Sequence, residues 1–209
     1  MPKAKAITLA PVASDVDYIS TTETLTTPWV LQADGVLDLS ANPQHVTITC
    51  TSDETLATFT IVGTDRYKNV LTESLAGPNN GVVVSVGNFA TVVSITSTAD
   101  ATGVTAGVDG TCESGWYVLN YRGPDFNVGI GCDVSSGAAA TYAMQHTFHN
   151  ILASGFVEDD AVVHTHDTIT GQTGTADGNY TNPPTATRLA ITAHTSGTVN
   201  ARIIHAGGV

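Results

Sequence analysis

Between residues 45 and 62 the chain alternates with a period of two. Val46, Ile48 and Cys50 are separated by Thr47 and Thr49, and Ala57, Phe59 and Ile61 by Thr58 and Thr60. Successive side chains of an extended strand point to opposite faces, so each run places one face on a core and the other on water. Further runs of strand character lie at 70–75, 82–86, 92–96 and 104–108, separated by the turn clusters Gly63-Thr64-Asp65, Gly77-Pro78-Asn79-Asn80-Gly81 and Asp100-Ala101-Thr102-Gly103. A second series follows at 116–120, 126–132, 141–147, 161–165, 188–192 and 199–204. Its last two members keep strict alternation through Leu189 and Ile191, then Val199, Ala201 and Ile203. Short strands punctuated at such spacings predict a sandwich.

Composition supports strands over helices. Hydrophobic residues make up 42% of the 209 and charged residues only 12%, with Thr, Val, Ala, Gly and Ser filling the difference. Thr and Val suit a pleated, half-buried surface, whereas the straight-chain helix formers are scarce. The expected fold is all-β: two β-sandwich-like modules (immunoglobulin-like or jelly-roll-like) in series, spanning 35–113 and 114–209. The joint is placed at residues 110–115. Residues 138–153 are compatible with a short helix, but a strand through Tyr142 and Met144 is the preferred reading. Residues 171–187 are polar, hold Asp177-Gly178-Asn179 and Asn182-Pro183-Pro184, and read as a long exposed loop.

Residues 1–34 lack a regular pattern and are interrupted by Pro2, Pro11 and Pro28. Their apolar punctuation, with Ile7, Leu9 and Trp29 foremost, is too rich for a pure linker. The reading is an extended N-terminal arm that lies across a neighbouring subunit, with those three residues as its contacts.

The formal net charge is −12, with only 7 Lys plus Arg, none of them clustered. Binding to a phosphate backbone is driven by grouped basic side chains that release counterions, so nucleic acid and anionic membrane are not expected partners. No apolar run approaches the length of a membrane span, and the basic N-terminus has no apolar stretch behind it to make a signal peptide. Cys50, Cys112 and Cys132 are odd in number and widely spaced, which suits buried thiols better than a disulfide framework or zinc knuckle.

The search for catalytic motifs is negative. There is no G-x-S-x-G elbow, no phosphate-cradling loop ending in G-K-[ST] and no dinucleotide fingerprint. No enzyme activity and no cofactor are expected. Two histidine groups are the candidates for chemistry: His146 with His149, and His164 with His166. Residues i and i+2 of a strand share a face, so His164 and His166 are candidate ligands for a divalent metal, completed by Asp159, Asp160 or Asp167. A surface or loop-end role is the plainer reading, because the spacing matches no metal motif, and no metal is assigned.

The segment Phe59-Thr60-Ile61-Val62-Gly63-Thr64-Asp65-Arg66-Tyr67-Lys68-Asn69-Val70-Leu71-Thr72-Glu73-Ser74-Leu75-Ala76-Gly77-Pro78-Asn79 resembles a hairpin of tailed-bacteriophage virion proteins, and Val92-Val93-Ser94-Ile95-Thr96 is similar to the strand that follows it there. Residues 142–148, Asp177-Gly178-Asn179-Tyr180 and Arg188-Leu189-Ala190-Ile191-Thr192 are similar to C-terminal parts of such proteins, so the resemblance covers most of residues 45–205. The turn Arg66-Tyr67-Lys68 departs from the pattern in lacking its glycine-rich form. The resemblance implies a non-enzymatic structural protein of the virion, assembled in the host cytoplasm. Its leading form is a capsid decoration or cement protein that clamps neighbouring copies of the major capsid protein and is itself homo-oligomeric. Two alternatives remain open from the sequence. One is a neck, connector or tail-associated protein bound to other virion proteins. The other is a host-surface binding module using the loops 63–69 and 171–184, where Tyr67 and Tyr180 are the exposed aromatics.

Overall fold

The structure, a computed structural model, describes residues 4–25, 37–121, 126–158 and 161–205. Among them the chain forms strands β1 to β16, numbered in chain order, and no α-helix. It divides into two compact units. The first is Pro11–Cys112, and the second joins Met1–Ala10 to Glu113–Val209.

The first unit holds two antiparallel sheets. One runs in the order β2 (Asp15–Leu25), β9 (Ala101–Glu113), β4 (Gln44–Asp53), β7 (Asn79–Val84). The other runs β3 (Leu37–Asp38), β8 (Thr91–Ser97), β5 (Thr58–Thr64), β6 (Val70–Ala76). The alternation seen in the sequence sorts side chains as the pleat requires. Val46, Ile48 and Cys50 of β4, Phe59 and Ile61 of β5, Val92 and Ile95 of β8, and Val104, Ala106 and Val108 of β9 belong to one buried apolar cluster. Each large side chain so buried contributes about 1.5–3 kcal/mol.

Polar side chains fix the connections. In the β5–β6 turn, Asp65 Oδ1 accepts from the backbone N–H of Tyr67 at 2.7 Å and of Asn69 at 2.8 Å, while Oδ2 accepts from the Asn69 amide at 2.9 Å. That carboxylate does the work of a glycine-rich turn, and Lys68 takes the left-handed conformation with φ 68°. Gly63, just before the turn, is required: a Cβ there would lie 1.9 Å from the Thr91 carbonyl oxygen.

The second unit contains the sheet β1 (Ala4–Leu9), β16 (Val199–His205), β11 (Val128–Val134), β14 (Ala176–Tyr180). Its other strands are β13 (His164–Thr165), β12 (Ala139–Thr147) and β15 (Ala186–Ser196), paired in that order, with β10 (Tyr117–Val118) also pairing β15. Residues 139–147 are thus strand, followed by turns.

Two expectations are corrected. The N-terminal segment is not a free arm. Ile7 pairs with Ala201 and Leu9 with Val199 in the β1–β16 ladder, and both side chains are buried in the chain's own second unit. Residues 15–25 likewise pair with β9. Trp29 lies outside the described residues. The polar stretch 171–187, expected as a loop, contributes β14, whose backbone pairs with β11 along Val128 to Cys132. Main-chain hydrogen bonds hold an edge strand without any apolar alternation of its own.

Candidate functional site

The second unit brings three of the four candidate histidines to one place. The β12–β13 register sets His146 opposite His164, and their rings stack at 5.5 Å between centroids with 25° between planes. Phe148, two residues on from His146, meets both rings edge-on at 5.5 Å. Tyr180, at the end of β14, stands 5.1 Å from His146 and 4.9 Å from His166. His149 is not part of this cluster in any ring contact; it sits exposed on the turn after β12, its backbone N–H donating to Thr147 Oγ1 at 3.2 Å.

His164 and His166 do not share a face. The strand ends at Thr165, so His164 is exposed while His166 turns inward and is buried. His166 Nδ1 accepts from the backbone N–H groups of Thr168 at 3.2 Å and Ile169 at 3.3 Å. The ring is therefore the Nε2–H tautomer, and Nε2 donates to the Asn179 carbonyl at 3.3 Å. With both nitrogens spent, His166 builds the loop 166–169. Gly178 lies beneath it, where a Cβ would come 2.7 Å from His166 Cε1. Among the described residues no group of three or more His, Cys, Asp or Glu is placed to hold a metal ion.

Tyr180 is committed inward as well. Its hydroxyl lies 3.2 Å from Thr187 Oγ1, which donates onward to the Gln145 carbonyl at 2.7 Å. The proton order is thus Tyr180 to Thr187 to Gln145, since each hydroxyl has one proton to give. Burial pushes the Tyr180 phenol up to about 12. Beside this chain, Arg188 donates from Nε to Gln145 Oε1 at 2.7 Å, lies 4.7 Å over the Trp116 ring and faces Glu113 and Glu158 at 3.8 Å each.

The rings wall a cleft of about 250 Å³ whose lining includes His146, Phe148, His166 and Tyr180, with Asp167 and Asn182 also on it. Burial holds His146 below the ordinary histidine value, and the neighbouring His164 and His166 push it the same way against the opposing pull of Asp167. At neutral pH its imidazole is uncharged. The cleft offers aromatic surface and one carboxylate, which suits recognition. Sequence reasoning found the histidines but not the roles of Phe148 and Tyr180. The i, i+2 spacing of His146 and Phe148, across the end of β12, was the signal available for the former.

A second feature lies in the first unit. On β7 the residues Val82, Val83 and Val84 are all apolar, so the C-terminal half of the strand shows no polar outer face. Val83 packs against the core, while Val82 and Val84 pair across to Thr49 and Thr47 on the opposite face. There they line a groove of about 400 Å³ with Val16 and Val108, and remain 54% and 41% exposed. The hydroxyls of Thr47 and Thr49 are buried without a partner.

No protein-family profile matches the chain, and no curated protein does. Among solved structures, the VP2 subviral particle of infectious bursal disease virus aligns over 100% of this chain and 72% of that chain, at 10% sequence identity and a TM-score of 0.19. A likeness of that size carries no argument about fold or function.

Proposed function

We propose that this chain is a non-enzymatic structural protein of a tailed-phage virion, built as two sandwich modules in series, that decorates the capsid and clamps neighbouring coat subunits. The observation that carries the reading is the doubly apolar edge strand β7. A sheet with one face on a core and one on water alternates apolar and polar residues. Here Val82 and Val84 face outward beside Val16, next to threonine hydroxyls that have lost water without gaining a partner. Such a surface gains by being covered. The sequence resemblance in residues 59–79 supplies the class of partner.

The clamp in this account is the β7 groove, because Ile7 and Leu9 are spent inside the chain's own fold. Many copies, each making a modest apolar contact across a coat-subunit boundary, hold a shell by their number. A neck or tail location uses the same surface around an axis. The host-surface reading is favoured by one observation, the half-exposed Phe148 at the His146 cleft.

The deciding experiment is a cryo-electron-microscopy reconstruction of the intact particle with this chain located in the density. Density at coat-subunit junctions over the shell, with β7 against the coat, is the expected result. Density at a single vertex or along the tail would replace decoration by the connector reading, and absence from the particle would end both.

A further inference from the structure

The cleft in the second unit has an unusual division of polar groups. Two of its wall side chains have their polar atoms turned inward: both His166 nitrogens and the Tyr180 hydroxyl are engaged within the fold. What they present to the cleft is ring surface. Phe148, packed edge-on against His146 and His164, adds a ring that is 53% exposed. His146 adds a fourth ring, with Nδ1 buried and unpartnered. Among the described residues the charged group on the lining is the Asp167 carboxylate, which no basic side chain pairs there, and whose charge acts on both His146 and Tyr180.

The faces of phenyl and phenol rings such as Phe148 and Tyr180 are negative, and the Asp167 carboxylate beside them favours a cation as the ligand. The chain as a whole carries −12, which draws cations toward it from a distance. The volume, about 250 Å³, suits the end of one side chain and excludes a larger cofactor.

We propose that this cleft seats one basic side chain, a lysine ammonium or arginine guanidinium, from the protein on which the chain assembles. The inference rests on the assembly reading for the identity of the partner, while the cation site itself stands on the geometry of the cleft. His146, on the cleft wall, sets its working range. Uncharged, it is a ring on the cleft wall; once protonated, it places positive charge where the ligand must sit, opposed by Asp167, with His164, His166 and Tyr180 the other groups that face it.

The test uses the intact chain in solution and needs no particle. Nα-acetyl-lysine methylamide and Nα-acetyl-arginine methylamide are titrated at neutral pH while the ring resonances of Phe148, Tyr180 and His146 are followed by NMR. The uncharged norleucine analogue and a methyl glucoside serve as controls. Millimolar saturable binding of a basic probe is expected, at least about tenfold weaker in Asp167→Asn and in Phe148→Ala, both exposed positions, and weaker again once the pH falls low enough to protonate His146, below its ordinary value. Equal shifts with norleucine, binding of the glucoside alone, or affinity unchanged in Asp167→Asn would each overturn the proposal. Failure here leaves the assembly reading intact, and failure to find the chain on a particle leaves the cation site intact.

Discussion

At the scale of the residue, the most informative groups are those whose protonation the fold opposes. Burial holds His146 below its usual 6.5, with His164 and His166 adding to the effect and Asp167 partly offsetting it. In the unfolded chain the same imidazole titrates near its ordinary value. Between the two values the unfolded state binds more protons, so stability rises with pH there and is lost as pH falls from above 6.5 through the lower folded value. Urea unfolding at a series of pH values therefore gives a midpoint that declines on acidification through this window. His146→Phe keeps a ring between Phe148 and Tyr180 and removes the titration, so its curve is expected to be flatter than that of the parent. Parallel curves would show that His146 does not carry the dependence.

At the scale of the element, strands were legible where a local pattern determines them and illegible where a distant partner does. β4 and β5 stand out because thronging threonines alternate with Val46, Ile48, Phe59 and Ile61, and the all-β class follows from such runs. β1 does not stand out, because its partner is β16: Thr8 and Asn200, bonded side chain to side chain at 2.8 Å, are 192 residues apart. β14 reads as a polar loop for the same reason, its ladder being supplied by β11. The cleft was half legible. Histidines at 146, 164 and 166 could be counted, but whether two of them share a face depends on where β13 ends and how it registers on β12. The consequence for the N-terminus is testable. Removing residues 1–9 takes the buried side chains of Ile7 and Leu9 from the second unit and bares the β16 edge. At about 1.5–3 kcal/mol for each side chain, the loss is about 3–6 kcal/mol. A free arm would cost nothing measurable in the same denaturation experiment.

At the scale of the whole molecule, charge and apolar surface make opposite demands, and their balance separates the partners open to this chain. Copies at −12 repel one another, and salt relieves that repulsion because the screening length shortens from about 10 Å at 0.1 M to about 3 Å at 1 M. Contact between copies through the valines of β7 would therefore tighten as salt is added. A basic partner behaves in the reverse way: the long-range attraction and the contact of its cation with Asp167 both weaken with salt, leaving the apolar contact at Val82 and Val84. Binding of the purified chain to undecorated shells, measured by co-sedimentation from about 0.05 to about 0.5 M salt, is expected to fall toward a plateau. Val82→Asp with Val84→Asp removes that plateau without unfolding the chain, since both side chains stand on the solvent side of the sheet. Asp167→Asn instead reduces the slope and keeps the plateau. Affinity that climbs steadily with salt would mean that the surface meets a like-charged copy of the same chain. The β7 groove would then be an oligomer contact, and the coat would have to be gripped elsewhere.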